Sequence, residues 1–252
     1  MALHGVLADV HGNLEALRAV LARLQARGAE SFLCLGDVVG YNAEPDACVA
    51  EVRGRSMEAV AGNHDLISVG RLGTARCARK AAYALRRTRR RLRPDSAAYL
   101  STLPALKRLE GGVVLVHGAV DDPEAYVRTA AQVARQAALL EAACPGARLC
   151  FYGHTHQAQA WELREGGVHA LPAAGTIRLR EDATYFINPG AVDSARQPDP
   201  GRAECALFDA AARTVEFVSV PYDHAAAEES ARRAGYRLPA WRLKLRSAWR
   251  LS

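Results

Sequence analysis

The sequence predicts an α/β fold in which a first half of parallel strands and crossover helices is followed by a second half of antiparallel strands. Three observations predict it. Up to about residue 156, short apolar runs alternate with stretches of helical periodicity, the rhythm of βαβ units. Beyond that point short strands are separated by Gly and Pro turns, which reads as antiparallel sheet. Polar and metal-capable residues fall directly after the ends of the early strands, where the loops of an open α/β sheet converge on one crevice.

The elements follow in order. Leu3 to Ala8 is apolar and ends at Asp9, so it reads as a buried strand. Asn13 is an N-cap residue before Leu14, Leu17, Val20, Leu21 and Leu24, whose spacing is helical, and Gly28 stops that helix. Ser31 to Leu35 is the next strand, ending at Gly36-Asp37; a helix over about 46–53 and a strand from Met57 to Ala61 follow, the latter ending at Gly62-Asn63-His64-Asp65. Residues 71–109 interrupt the rhythm with a basic, helical insertion. Val113 to Val116 resumes the sheet and ends at His117; a helix over about 129–143 leads to a strand over 148–152 and then to Gly153-His154-Thr155-His156. Strands are expected at 159–164, 168–171, 176–179 and 184–187, a hairpin at 203–208 and 214–220 around Ala210 to Arg213, and a helix over about 224–234. The tail, about 221–252, closes with a basic stretch holding Trp241, Lys244 and Trp249. No repeat or low-complexity linker divides the chain, so residues 1–252 read as one domain.

Composition bounds the class. The chain has 252 residues, half of them hydrophobic, and a mean hydropathy of −0.11, which excludes a disordered or collagen-like polymer. A net charge of +6 suits an anionic partner or substrate. Cysteines at 34, 48, 77, 144, 150 and 205 show no C-x-x-C spacing, and three sit in apolar runs, so reduced core thiols are expected rather than a secreted disulfide framework. The N-terminus has no basic leader, and no apolar run approaches the ~18 residues of a membrane span. A cytoplasmic protein with no membrane partner is expected.

The chemistry resides in five strand-end signatures: Asp9-x-His11, Gly36-Asp37, Gly62-Asn63-His64-Asp65, His117-Gly118 and Gly153-His154-x-His156. Each alone is weak, because a strand-end His is more often hydrogen-bonded than ligating. Five in order, each directly after an apolar strand, are specific. Hydrolysis of a phosphate ester needs a strong nucleophile at neutral pH and neutralisation of charge on the phosphoryl oxygens. Two divalent ions about 3.5–4 Å apart supply both. Carboxylates can bridge such ions, and imidazoles suit Mn, Fe, Zn or Ni better than Mg or Ca. Glycines beside the ligands are expected to let tight turns aim side chains into one pocket, and strand alternation to point His154 and His156 the same way.

These motifs resemble those of the calcineurin-like metallophosphoesterases, in particular the small bacterial phosphodiesterase-like branch; Asn188-Pro189-Gly190 resembles a further turn of that branch. The resemblance implies a four-layer α/β/β/α sandwich of two mixed sheets flanked by helices, with the helical insertion near the active site. It implies two divalent transition-metal ions, manganese first, with iron, zinc, nickel or cobalt as the other candidates. Asp9, His11 and His156 would hold one ion, Asn63, His117 and His154 the other, and Asp37 would bridge them. The catalytic residues would be His64, Asn63 and Asp37, with a metal-bridging hydroxide attacking phosphorus while His64 assists the leaving group. The activity implied is hydrolysis of phosphodiester or phosphomonoester bonds in a small phosphorylated substrate, a nucleotide among the candidates.

One departure bears on substrate. Where protein phosphatases and dinucleoside-tetraphosphate hydrolases of the superfamily continue GD into D-R-G, this chain reads Gly36-Asp37-Val38-Val39-Gly40-Tyr41-Asn42. The segment supplies neither an Asp to orient His64 nor an Arg to grip phosphate. Arg76, Arg79, Lys80, Arg86, Arg87, Arg89, Arg90, Arg91 and Arg93 crowd the insertion instead. Charge runs are usually solvated faces, but this one follows a metal-ligand loop directly. One or two of its arginines, or Arg71, are therefore expected to bind substrate alongside Asn63 and His64. The alternatives are a dinucleoside polyphosphate hydrolase, a nuclease in contact with nucleic acid through the basic insertion and tail, a protein phosphatase, and a scaffold of the same fold without catalysis. Proteins of the last kind usually lose the GNH histidine or ligands, all of which are present here.

Overall fold

The structure is a computed structural model that describes residues 3–194 and 199–237. Strand β1 (Leu3–Leu7) leads into helix α1 (Leu14–Ala26), β2 (Ser31–Cys34), α2 (Pro45–Gly54), the two-residue β3 (Glu58–Ala59) and a short α3 (Asn63–Ser68). Helices α4 (Arg79–Arg91) and α5 (Pro94–Thr102) precede β4 (Leu106–Arg108) and β5 (Val113–Val116). Then come α6 (Ala130–Ala143), β6 (Leu149–Phe151), β7 (Ala158–Arg164), β8 (Gly167–Leu171), β9 (Thr176–Arg178) and β10 (Thr184–Pro189). The hairpin β11 (Arg202–Asp209) and β12 (Thr214–Pro221) and helix α7 (His224–Arg233) complete the described chain.

The strands form two mixed sheets of six, ordered β3-β2-β1-β11-β12-β9 and β4-β5-β6-β10-β7-β8. Alternation along each strand explains the layers. Val6 and Ala8 of β1 and its extension face the other sheet, packing with Leu33, Leu35, Leu115, Phe151, Tyr185 and Ile187. Leu7 points the other way, to Leu17, Val20 and Leu24 of α1 and Val49 and Val52 of α2. On the far side Val114, Val116, Cys150 and Phe186 pack with Val133 and Leu140 of α6. The result is the four-layer α/β/β/α sandwich.

Several expectations need correction. The later strands do not form an antiparallel sheet of their own. The β11–β12 hairpin joins the first sheet, with β11 antiparallel to β1, while β10 runs parallel to β6 in the second. An apolar central strand fits either direction, so local pattern could not decide the pairing. The strand at 57–61 is only two residues long, and GNHD opens α3 rather than a loop. The insertion is not helical throughout: its end is β4, an edge strand antiparallel to β5. Arg237 is the last described residue, so Trp241, Lys244 and Trp249 lie outside the described residues. All six cysteines are free thiols, five of them buried. Among the described residues no helix is long and apolar enough to cross a membrane.

Candidate metal centre

The loops after β1, β2, β3, β5 and β6 meet at one end of the sandwich. Four backbone hydrogen bonds zip the first two together: Asp9 N donates to Gly36 O, His11 N to Asp37 O, Gly12 N to Val38 O, and Asn42 N to His11 O. Gly36 and Gly62 allow the β2 and β3 loops to touch, because a Cβ on Gly36 would collide with the Gly62 backbone and one on Gly62 with the Asp37 side chain. Asp65, fully buried, accepts from Gly62 N at 2.9 Å and from Val39 N at 3.1 Å, tying the same loops from below. Gly153 N donates to His117 O, joining the β5 and β6 loops.

The aiming device differs from the one expected. Among the described residues, seven non-glycine residues have φ between 49 and 65°, and five of them are Asp9, His11, Asp37, His154 and His156. The ligand candidates themselves adopt the left-handed conformation, at a cost of about 1 kcal/mol each. Gly62, Gly118 and Gly153 are not in it and serve close approach instead. His154 and His156 therefore owe their direction to turns and not to strand alternation, since β6 has ended at Phe151.

Two groups of donors result. Asp9, His11 and His156 form one, with their ligand atoms within 4.8 Å of one another, and Asp37, His117 and His154 form the other within the same limit. All are nearly excluded from solvent. Asp37 Oδ2 lies 3.7 Å from His11 Nε2 and 3.4 Å from His117 Nε2, so one oxygen stands between the groups. Asp37 Oδ1 accepts from His64 N at 2.8 Å, and Asp9 Oδ2 accepts from His154 N at 3.0 Å. These bonds orient both carboxylates while Asp9 Oδ1 faces His156 Nε2 at 3.4 Å. Asn63 Oδ1 lies 3.1 Å from His117 Nε2 and so joins the second group. A third set, His11, Asp37 and His64, also has its donor atoms within 4.8 Å.

The donor chemistry fits transition-metal ions. The Leu35 carbonyl, 2.7 Å from His117 Nδ1, can only accept, so Nδ1 carries a proton and Nε2 faces Asp37 and Asn63. His154 likewise uses Nε2 to reach the Glu124 carbonyl at 3.1 Å, turning Nδ1 inward. Such outer hydrogen bonds are what hold ligating imidazoles. Burial opposes charge on His117, but the Asp37 carboxylate beside it, helped by Asp9 and the Leu35 carbonyl, outweighs burial and lifts its pKa to about 9. A proton thus occupies the direction in which a cation would bind. Burial raises Asp37 in turn, yet His117, His64 and His11 hold it well below the usual carboxylate range. His154, lowered to about 3 by burial and then by the His117 charge, is a neutral imidazole at physiological pH, as a ligand must be.

A cavity of about 460 Å³ opens onto this centre, lined in part by Asp37, Asn63, His64, His154 and His156. The structure does not bring Arg71 to it; its guanidinium donates to Ser101 O in α5. From the insertion, Arg76 reaches the cavity, where it pairs with Asp122 at 2.7 Å and Glu124 at 3.3 Å. Two site residues lie outside the sequence motifs: Tyr41, whose ring packs on His11 and His64 at centroid distances of 4.7 and 4.9 Å, and Tyr126, stacked on His154 at 4.4 Å and capped by Arg128. The Gly-Tyr pair after GD was the available signal for Tyr41; nothing local marked Tyr126. Asn188 gains a role as well. Its Nδ2 donates to Gly153 O at 2.8 Å and Thr155 Oγ1 at 3.0 Å, pinning the loop that carries both histidines.

Known proteins resemble this chain in sequence and in fold. Residues 2–213 match the model of the calcineurin-like phosphoesterase superfamily domain. The chain is 32% identical over 241 residues to the uncharacterized protein MJ0912 of Methanocaldococcus jannaschii, covering 94% of this chain and 93% of that one. It is similar to a metallophosphoesterase from Sphaerobacter thermophilus, with 34% identity, a TM-score of 0.76, and coverage of 95% and 96%. The hypothetical protein PH1004 of Pyrococcus horikoshii OT3 shares the fold at 18% identity, with a TM-score of 0.72 and 96% of each chain covered. The chain belongs to the calcineurin-like phosphoesterase superfamily.

Proposed function

We propose that the chain is a phosphodiesterase that works with two divalent transition-metal ions. One observation carries the reading: residues from five separate strand-end segments, 147 positions apart at the extremes, present two carboxylates, an amide and four imidazoles as two adjoining groups that share Asp37. Asp9, His11 and His156 would hold one ion, Asn63, His117 and His154 the other. When bound, the ions would acidify water and offset charge on the phosphoryl oxygens.

The chain's own residues supply the rest. The His64 N–H to Asp37 Oδ1 bond fixes the carboxylate that stands between the groups. The His64 imidazole, held between Gly40 and Tyr41 at the cavity wall, protonates the leaving oxygen, a contribution worth about 10²–10⁴ in rate. Diesters are favoured over monoesters by the charge of the cavity. Among the described residues Arg76 is its one lining arginine and is already paired with Asp122 and Glu124. Beyond the ions, a monoester dianion finds no uncommitted arginine among the described lining residues, whereas a diester carries one charge fewer.

The test is a substrate panel on metal-stripped protein reloaded with Mn, Fe, Co, Ni or Zn. A bis-aryl phosphodiester is expected to be cleaved faster than the matching aryl monoester and than phosphoserine or phosphotyrosine peptides. Preference for a peptide would make the protein a phosphatase, and no turnover with any ion would leave only a scaffold.

A further inference from the structure

Helix α4 carries seven cationic side chains in thirteen residues and no acid: Arg79, Lys80, Arg86, Arg87, Arg89, Arg90 and Arg91. Among the described residues none of the seven lies within ion-pair distance of a carboxylate, while fourteen other arginines and lysines do. Residues 230–252 hold no acidic side chain, so that part of the tail brings no carboxylate side chain to the helix. A helix that only needed solubility would mix signs, and three basic residues in its last turn already complement its dipole. The excess points to a polyanion.

Position along the helix says which. At its N-terminal end Ala78 and Ala81 line the cavity of the candidate metal centre. At the other end Tyr83, Arg86, Arg87, Arg90 and Arg91 line a separate groove of about 490 Å³. Arg79, Tyr83, Arg86 and Arg90 are spaced i, i+4, i+7 and i+11, one continuous stripe on the helix face opposite the buried Ala81, beginning at Arg79 next to the cavity-lining Ala78. With a rise of about 1.5 Å per residue, Arg86 to Arg91 begin about 8 Å and end about 15 Å beyond Ala81. A mononucleotide with its phosphate at the centre cannot span both sites; a chain of phosphodiesters that turns round the N-terminal end of α4 at Ala78 and Arg79 can.

We infer that the α4 groove binds a single-stranded nucleic acid whose scissile phosphodiester lies at the metal centre, an inference that rests on the phosphodiesterase reading above. A single strand is required because the ligand candidates are at most 8% exposed, and a duplex, stiff over about 150 base pairs, cannot dip its backbone into such a cleft. Tyr83 among the arginines provides the aromatic surface on which a base can stack, the combination that single-strand grooves use.

The experiment is fluorescence anisotropy of a labelled oligothymidylate of about twelve nucleotides, within the site sizes of such grooves, titrated with the full-length protein at several salt concentrations. It requires no turnover, so hydrolysis of a bis-aryl diester by the same preparation tests the phosphodiesterase reading separately. Four phosphate contacts give a slope of log K against log salt of about −2.8. R86Q/R90Q removes two exposed arginines, lowering the slope by about 1.4 and weakening binding about 25-fold at ~0.1 M salt; R86K/R90K should keep the wild-type slope. Binding that is undetectable or indifferent to salt, a slope unchanged in R86Q/R90Q, tighter binding of the matching duplex, or equal displacement of the probe by inorganic polyphosphate at the same phosphate concentration would each overturn the inference.

Discussion

Gly40→Ala is the substitution whose effect follows most directly from the geometry. A Cβ built on Gly40 lies 2.6 Å from His11 Nδ1 and 2.6 Å from His64 Nδ1. Restoring ordinary contact requires each ring to retreat by about 0.8 Å, and neither can swing away, because both are buried and wedged against Tyr41. Overpacking of this kind costs about 1–3 kcal/mol of stability. The functional cost is larger, since a misplacement near 1 Å at a reacting centre costs about 10²-fold in rate. The assay pairs diester hydrolysis under saturating metal with thermal unfolding. A fall in kcat of about two orders of magnitude with a modest drop in Tm is expected; wild-type kcat in a folded Gly40→Ala protein would refute the argument that Gly40 is kept for these two imidazoles.

Three further outcomes are expected. His64→Asn should retain wild-type metal content while kcat falls about 10²–10⁴-fold; loss of an ion would instead make His64 a ligand, in keeping with its nearness to His11 and Asp37. Metal affinity of the stripped protein should rise about tenfold per pH unit up to about pH 9 and then level, because below that pH a proton on His117 must leave for a cation to bind; calorimetry in buffers of different ionisation heat would count that proton, and a flat profile between pH 7 and 9 would contradict it. Iodoacetamide at pH 8 should modify only Cys77 in the native protein, since burial holds the Cys34 and Cys205 thiols up at about 12 and places Cys48, Cys144 and Cys150 out of reach; labelling of Cys150 before unfolding would show that the second sheet opens.

Much of this was legible in the sequence for a physical reason. Metal ligands are confined to a few residue types, and an α/β sheet exposes them at strand ends, so the candidates Asp9, His11, Asp37, Asn63, His117, His154 and His156 stood out once the strands were read. What was not legible depends on contacts between distant segments. The apolar alternation of the β11–β12 hairpin does not name its partner strand; β11 pairs with β1. The left-handed conformation of five ligand candidates leaves no local trace, because Asp and His tolerate it without announcing it. Arg71 and Arg76 are indistinguishable by type; only the fold turns one to Ser101 and the other to the cavity. Tyr126 stacks on a histidine 28 residues away, which no local pattern records.

The proposed activity requires Asp37 to join two cation sites. Elemental analysis of metal-stripped protein, reloaded with manganese or zinc and freed of excess ion, tests that most directly, with Asp37→Asn alongside. Two ions per chain are expected in the wild type and at most one in the variant. Less than one ion per chain in the wild type, or two in Asp37→Asn, would contradict it.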